Sequence, residues 1–406
     1  MVDFSIVIPC LNESECLPHC LANARAALEL ARERLGLEGE IVVADNGSTD
    51  GSRELAEQLG ARVAPVAKRG YGAALIGGFQ AARGRYLVMG DADASYDFRD
   101  APAMIARLAE GADICMGSRF KGGIAEGAMP WKNRYIGNPL LTGVLNLFYR
   151  TRITDAHCGL RALTRRSLTV LQLDSDGMEF ASEMVIKAAL LGLRIDEVPT
   201  TLSPDRRSRP PHLRPWRDGW RHLCLLLMLA PLWLFAGPGA VLLGLGIVLL
   251  LAPWASPLVG LDPNMFGAYW TILGGAMATL GHQGLLMALA AELAGLRAGY
   301  RRPSKFLKAA APNLSLNRML LSGLGFLGTG LMVLVGVAIY WKLNASRPLA
   351  HVLPAVAGTA LMCIGAQTIL GGFLLAVLGG NSRQVSLGER KNAAHADRSE
   401  HRKKAA

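Results

Sequence analysis

Four long apolar stretches in the second half of the chain restrict its fold more than any other feature. They cover about residues 232–253, 266–296, 319–341 and 352–378. Each reaches or exceeds the roughly 20 residues needed to cross the hydrocarbon of a bilayer. One such stretch would fit a buried helix of a soluble protein, whereas four in succession predict a bundle of membrane spans. Composition shifts near residue 222, with short apolar runs and frequent charges before it. Residues 1–222 are therefore expected to form a cytoplasmic α/β domain, 223–380 an all-α transmembrane domain of about four helices, and 381–406 a basic cytoplasmic tail.

Lysine and arginine set the expected orientation. The first connection, 254–265, contains neither, while the second carries Arg297, Arg301, Arg302, Lys305, Lys308 and Arg318. The third has only Lys342 and Arg347, and the tail is again basic. The positive-inside rule puts the second connection, the tail and the N-terminal domain on the cytoplasmic side, which predicts an integral protein of the cytoplasmic membrane. Trp233, Trp254, Trp270, Tyr340 and Trp341 lie near span ends, where amphipathic rings favour the interface. The net charge of +11 thus points to anionic headgroups rather than to nucleic acid. Met1-Val2-Asp3-Phe4 lacks the basic and apolar regions of a secretory signal. The seven cysteines form no Cys-x-x-Cys and are odd in number, which fits reduced thiols. Cys16, His19 and Cys20 read as one turn of helix rather than as zinc ligands.

Before residue 222, strands and helices alternate. Strands are expected at 4–8, 40–44, 62–64, 86–89 and 114–116, and helices at 14–34 and 73–82. Short apolar strands separated by helical patterns predict a mainly parallel sheet. In such sheets ligands bind beyond the carboxyl ends of the strands. Pro9, Asn12, Glu13, Asp45, Asp91 and Asp93 all fall at those ends. Asp91-Ala92-Asp93 places two carboxylates one residue apart on a chain leaving a buried strand, an arrangement that can grip a divalent cation from one side while substrate phosphates complete its shell. Asp45-Asn46-Gly47-Ser48-Thr49-Asp50-Gly51 reads either as a β–α turn with a helix cap or as a base-binding loop. Lys68-Arg69-Gly70-Tyr71-Gly72 supplies cations and permissive backbone before a helix, a setting suited to phosphate.

Taken together, these segments resemble glycosyltransferase family 2. The resemblance is carried by Ile6-Val7-Ile8-Pro9, Asn12-Glu13, Asp45 to Gly51, Lys68-Arg69-Gly70, Asp91-Ala92-Asp93 and Gly117-Ser118-Arg119. Trp131, Arg134, Asp155, Gly159-Leu160-Arg161-Ala162, Glu183 and Glu197-Val198-Pro199 resemble its polyprenyl-phosphate branch, which includes dolichol-phosphate mannose and glucose synthases. The resemblance implies a GT-A (Rossmann-like) fold, a nucleotide-sugar donor, a polyprenyl-phosphate acceptor, and Mg²⁺ or Mn²⁺ at Asp91 and Asp93. It further implies donor contacts at Pro9, Asn12, Glu13, Asp45, Lys68, Arg69 and Ala92. Arg119 and Arg134 are expected to hold the acceptor phosphate, since a guanidinium offers a planar fork to it. Two positions depart from the pattern. The branch's acceptor loop corresponds here to Asp205-Arg206-Arg207-Ser208-Arg209-Pro210-Pro211-His212, in which Arg206 and Arg209 are the expected contacts. Asn46 stands where many relatives carry a second Asp.

A lipid phosphate is already an anionic nucleophile, so the expected transfer needs no general base and inverts the anomeric carbon. Segment 135–149 is apolar and uncharged between flanking cations, and fits an interfacial helix or a core helix equally; 216–229 is a second candidate. Glu179 and Glu183 share a helix face; Glu183 matches an acidic position of the family and is expected to orient a loop Arg or a sugar hydroxyl, and Glu179 is expected on a solvated surface. Two other functions compete. A processive polysaccharide synthase would carry Gln-x-x-Arg-Trp, and no tryptophan here follows an arginine. A non-catalytic nucleotide-sugar-binding membrane protein would have no need of Asp91, Asp93 and Arg119 together.

Overall fold

The computed structural model describes residues 2–207, 215–255, 260, 267–344 and 352–379. The chain divides into two compact units, Met1–Ala230 with Tyr300–Arg302, and Pro231–Gly299 with Pro303–Ala406.

Seven strands build the first unit: β1 Phe4–Cys10, β2 Gly39–Asp45, β3 Arg62–Pro65, β4 Tyr86–Met89, β5 Ile114–Ser118, β6 Arg161–Thr164 and β7 Ile195–Pro199. They form one sheet in the order β3-β2-β1-β4-β6-β5-β7. Neighbours run parallel except at β6, which is antiparallel to both β4 and β5. The alternation of strands and helices had predicted such an α/β sheet, and the arrangement is GT-A-like. The reversed strand is the difference. Arg161-Ala162-Leu163-Thr164 is too short, and opens on too polar a residue, to show a period of two.

Helices cover both faces of the sheet: α1 Leu17–Leu35, α2 Ser52–Gln58, α3 Tyr71–Ala81, α4 Ala101–Ala109, α5 Arg119–Gly122, α6 Asn138–Tyr149, α7 Arg165–Leu171, α8 Phe180–Leu191 and α9 Pro215–Met228. Strand β1 shows why the sheet sits in the middle. Phe4, Ile6, Ile8 and Cys10 pack with Leu17, Leu21, Met104 and Ile105 on one side. Val7 packs with Leu75, Phe79, Phe180 and Met184 on the other. A strand buried on both faces reads as an almost unbroken apolar run, as Phe4–Cys10 does. Helix α1 starts at Leu17 rather than at 14, with Pro18 in its first turn, where a missing N–H costs nothing. It stops at Gly36, whose φ of 65° suits glycine.

In the second unit the main helices are α10 Gly237–Ala255, α11 Ala268–Arg297, α12 Lys305–Ala310, α13 Leu316–Leu343 and α14 Leu353–Gly379. Four segments are long and apolar enough to cross a membrane: Leu232–Pro253, Ala268–Arg297, Leu316–Leu343 and Leu353–Gly379. Their limits fall within a few residues of the stretches read from sequence. Large side chains such as Val241, Leu280, Met332 and Leu370 are exposed, as in a bundle meant for lipid. Small residues let the helices approach closely: a Cβ on Gly281 would strike the backbone at Leu243, and one on Gly365 would lie 2.6 Å from the Leu327 nitrogen.

Candidate active site

Where β1 and β4 end, the first unit opens into a cavity of about 810 Å³ lined by Pro9, Glu13, Asp91, Ala92, Asp93 and others. The strands explain the position. Parallel neighbours β1 and β4 deliver Pro9 and the chain leading to Asp91 to the same edge of the sheet.

Asp91 and Asp93 are each half engaged by the fold. Asp91 Oδ1 accepts a 2.8 Å bond from the Tyr71 hydroxyl. Asp93 Oδ1 accepts from the Ser95 backbone N–H at 3.0 Å and from its hydroxyl at 2.6 Å. Burial, and then the neighbouring Asp93 charge, push the Asp91 carboxyl up to about 6. A buried carboxylate whose proton affinity is raised by a second carboxylate beside it marks a place where a divalent cation is electrostatically welcome. Gly159 completes the seat, because a Cβ there would lie 2.5 Å from Asp91 Oδ2. Among the described residues no cluster of three or more His, Cys, Asp or Glu side chains holds a metal by itself. Two carboxylates on one side suit Mg²⁺ or Mn²⁺, which take one or two carboxylates plus substrate phosphates and water. Gly159→Ala is expected to push the Asp91 carboxylate aside and lower turnover by about 100-fold, the scale of an ångström-sized misplacement. Transfer rates, compared at an unchanged melting midpoint, test this.

The two loops beside the carboxylates are fastened to each other. Asn12, at φ 57°, accepts the Thr49 N–H at 2.8 Å on Oδ1. Both Asp45 oxygens accept backbone N–H groups of its own turn, from Gly47 at 3.3 Å and Ser48 at 3.1 Å. Asp45 thus holds the turn with its own side chain. Asn46 explains itself at this point. Its amide donates to the carbonyls of Val66 (3.1 Å) and Lys68 (2.7 Å) and accepts from Gly70 N–H (2.8 Å). An aspartate could make only the last of these. Asn46→Asp is expected to cost about 1–3 kcal/mol in lost buried hydrogen bonds, and to loosen the 66–70 loop. Faster amide hydrogen exchange at Gly70 and a lower melting midpoint check it.

The cations divide into those at the cavity and those elsewhere. Arg69 lines it, together with Arg207, Arg217 and Arg221. Lys68 instead pairs with Asp176 at 2.7 Å. Arg119 is not among the lining residues: its Nε and Nη2 each bond Asp155 at 2.7 Å, and its backbone N–H bonds the same carboxylate. Burial alone would raise the Asp155 carboxyl, and the Arg119 guanidinium brings it below its ordinary value. Arg134 also lies away from the cavity wall, with its guanidinium 5.5 Å from the Tyr135 ring centroid. Arg206 is exposed, and it is Arg207 that turns inward. Arg209 lies outside the described residues.

Arg161 and Glu183, which the sequence marked only through the family resemblance, support the cavity wall. Arg161 is fully buried and donates to the carbonyls of Ala156, Cys158 and Ala181. Glu183 accepts the N–H groups of Asp174 and Ser175, fixing the stretch that brings Gly177 and Met178 to the cavity. Glu179 is not solvated as expected, since its Oε2 is buried without a hydrogen-bond partner. His157 stands at 86° to His222 with ring centroids 5.4 Å apart, and burial pushes its imidazole down to about 3. It is neutral at physiological pH. The Cys10 thiol, which lines the cavity, is pushed up to about 11 by burial and is no nucleophile.

Comparison with known proteins agrees with this geometry. The profile for glycosyl transferase family 2 matches residues 5–171, and that for the glycosyltransferase family 2 C-terminal transmembrane region matches 289–379. The low-salt glycan biosynthesis hexosyltransferase Agl6 of Haloferax volcanii is 37% identical over 377 residues, covering 92% of this chain and 89% of that protein. A dolichol-phosphate mannosyltransferase of Pyrococcus furiosus is 30% identical over 203 residues, 48% of this chain and 55% of that one. Among solved structures, glucosyl-3-phosphoglycerate synthase of Mycobacterium tuberculosis in complex with Mn²⁺, UDP and glucosyl-3-phosphoglycerate is similar at 22% identity with a TM-score of 0.45, over 56% of this chain and 80% of that one. A relative this similar along nearly the whole length, with both profiles in register, decides the assignment: the chain belongs to glycosyltransferase family 2 and carries that family's C-terminal membrane region.

Proposed function

We propose that this protein transfers a hexose from a nucleotide sugar, UDP-glucose or GDP-mannose, to a polyprenyl phosphate at the cytoplasmic face of the membrane. The transfer inverts the anomeric carbon and uses Mg²⁺ or Mn²⁺. One observation carries the reading: a single cavity is lined both by the carboxylates Asp91, Asp93 and Glu13 and by the guanidiniums of Arg69, Arg217 and Arg221. A donor diphosphate with its cation needs the first set, and a second, separate phosphate needs the other. When bound at Asp91 and Asp93, the cation neutralises the leaving diphosphate.

The chain's own residues then have separate tasks. Gly159 and Tyr71 hold Asp91 in place, and Ser95 holds Asp93. Asn46 fixes the loop that presents Arg69. Arg217 and Arg221, on α9, orient the acceptor phosphate, alongside the sequence-based candidates Arg119, Arg134, Arg206 and Arg209. Arg119 and Asp155 brace the loop that carries Gly159. A phosphate monoester is ionised near neutral pH, so no side chain need remove a proton.

The surroundings support a membrane acceptor. Helix α9 buries Asp218, His222 and Leu226, spaced four apart, and exposes Trp220 and Met228. Trp131, Tyr135, Ile136, Leu140 and Leu147, along and just before α6, are exposed as well. Such apolar and aromatic faces beside arginines suit the headgroup boundary. The names of the Haloferax and Pyrococcus relatives supply hexose transfer and a lipid-phosphate acceptor in this family. Offering the purified protein polyprenyl phosphate and the unphosphorylated polyprenol side by side tests the acceptor. Hexose should pass to the phosphate alone, and equal transfer to the alcohol would refute the reading.

A further inference from the structure

We propose that Arg207 is a built-in occupant of the cation seat, which a divalent ion must displace before transfer can begin. The inference rests on the metal-dependent reading above and goes beyond it. Arg207 Nη2 lies 2.7 Å from Asp93 Oδ2, and its Nε lies 3.2 Å from Glu13 Oε2. The guanidinium is only 11% exposed, so these pairs are largely shielded from water. Its segment is also tied down by main chain, because the Arg206 N–H donates to the Asp93 carbonyl at 3.2 Å.

The oxygen that Arg207 takes is decisive. Tyr71 occupies Asp91 Oδ1, and Ser95 occupies Asp93 Oδ1. Asp93 Oδ2 is therefore the oxygen of that residue left for a cation, and Arg207 already holds it. Two cations cannot both sit on one carboxylate oxygen, since their repulsion at such a distance in a partly buried site reaches several kcal/mol. Binding of the metal must turn Arg207 away. The released guanidinium remains in the cavity that receives the diphosphate and the acceptor phosphate, and either offers it planar anionic partners. Arg207 thus keeps Asp93 and Glu13 compensated while the site is empty, and becomes a phosphate ligand only after the metal has arrived. Donor and metal would accordingly bind before the acceptor.

The test is Mn²⁺ binding to the full-length protein in detergent, without nucleotide, followed by electron paramagnetic resonance. Arg207→Gln should bind Mn²⁺ about tenfold more tightly than wild type, because a competitor worth about an ordinary buried ion pair is gone. Arg207→Lys should stay within about threefold of wild type, since it keeps the charge. An unchanged or weaker affinity in Arg207→Gln would overturn the proposal while leaving metal-dependent transfer intact. Failure of all three proteins to bind Mn²⁺, both alone and with UDP or GDP added, would overturn both. A measurement on the wild type alone guards against a misfolded variant: arginine modification by phenylglyoxal, mapped to Arg207, should rise several-fold when Mn²⁺ is added. No rise would count against displacement.

Discussion

Asp91→Asn and Asp93→Asn are each expected to lower kcat/KM for sugar transfer by about 10³-fold, the effect of deleting one preorganised electrostatic stabiliser. Asparagine keeps the shape. It can still accept the Tyr71 hydroxyl at position 91, or the Ser95 N–H at position 93. What it removes is the charge that a cation requires. Because Asp91 is held at a raised pKa by burial and by Asp93, Asp93→Asn should also lower the Asp91 carboxyl toward its ordinary value. The loss in Asp91→Asn therefore reports on cation binding rather than on folding, and its melting midpoint should hold or rise. Steady-state kinetics over a range of Mn²⁺ concentrations checks it. Either variant retaining more than a tenth of wild-type activity would show that the pair does not hold an essential cation.

Asp155→Ala should be the most damaging single change to stability, costing about 3–5 kcal/mol. The Asp155 side chain is 0% exposed, and it satisfies the Arg119 guanidinium by two bonds of 2.7 Å. Removing it strands a cation that is 9% exposed. The double replacement Arg119→Met with Asp155→Leu should recover most of the loss, because burying neither charge avoids the desolvation of both. Denaturant unfolding of the three proteins in detergent tests this. An Asp155→Ala protein with the wild-type midpoint would mean that Arg119 finds another partner. The same change should impair transfer indirectly, since Asp155 also accepts the His157 N–H in the loop that leads to Gly159 and the Asp91 seat.

Legibility in the sequence depended on how local each signal was. The spans were readable to within a few residues, because about twenty apolar residues in a row admit few alternatives. The sheet was readable where strands alternate with helices, and not at β6, whose four residues carry no period of their own. Asp91 and Asp93 stood out because strand ends and paired carboxylates coincide. The arginines resisted. Nothing in Asp205-Arg206-Arg207 tells which side chain points inward, since a tertiary bond, from the Arg206 N–H to the Asp93 carbonyl, helps set that register. Nothing near Arg119 in the sequence shows that Asp155, 36 residues away, takes its Nε–Nη2 edge. Asn46 looked like a weakened aspartate, and its two donated bonds make it the better residue for its place.

The central claim is metal-dependent transfer of a hexose to a lipid phosphate, and the most direct measurement is radiolabel transfer by the purified full-length protein. Labelled UDP- and GDP-hexoses would be offered in turn with a short polyprenyl phosphate, in Mn²⁺ and in EDTA. The account predicts a labelled lipid from one donor, formed with Mn²⁺ and absent with EDTA. Labelled lipid formed equally in EDTA, or no lipid product from any donor that the protein binds, would contradict it.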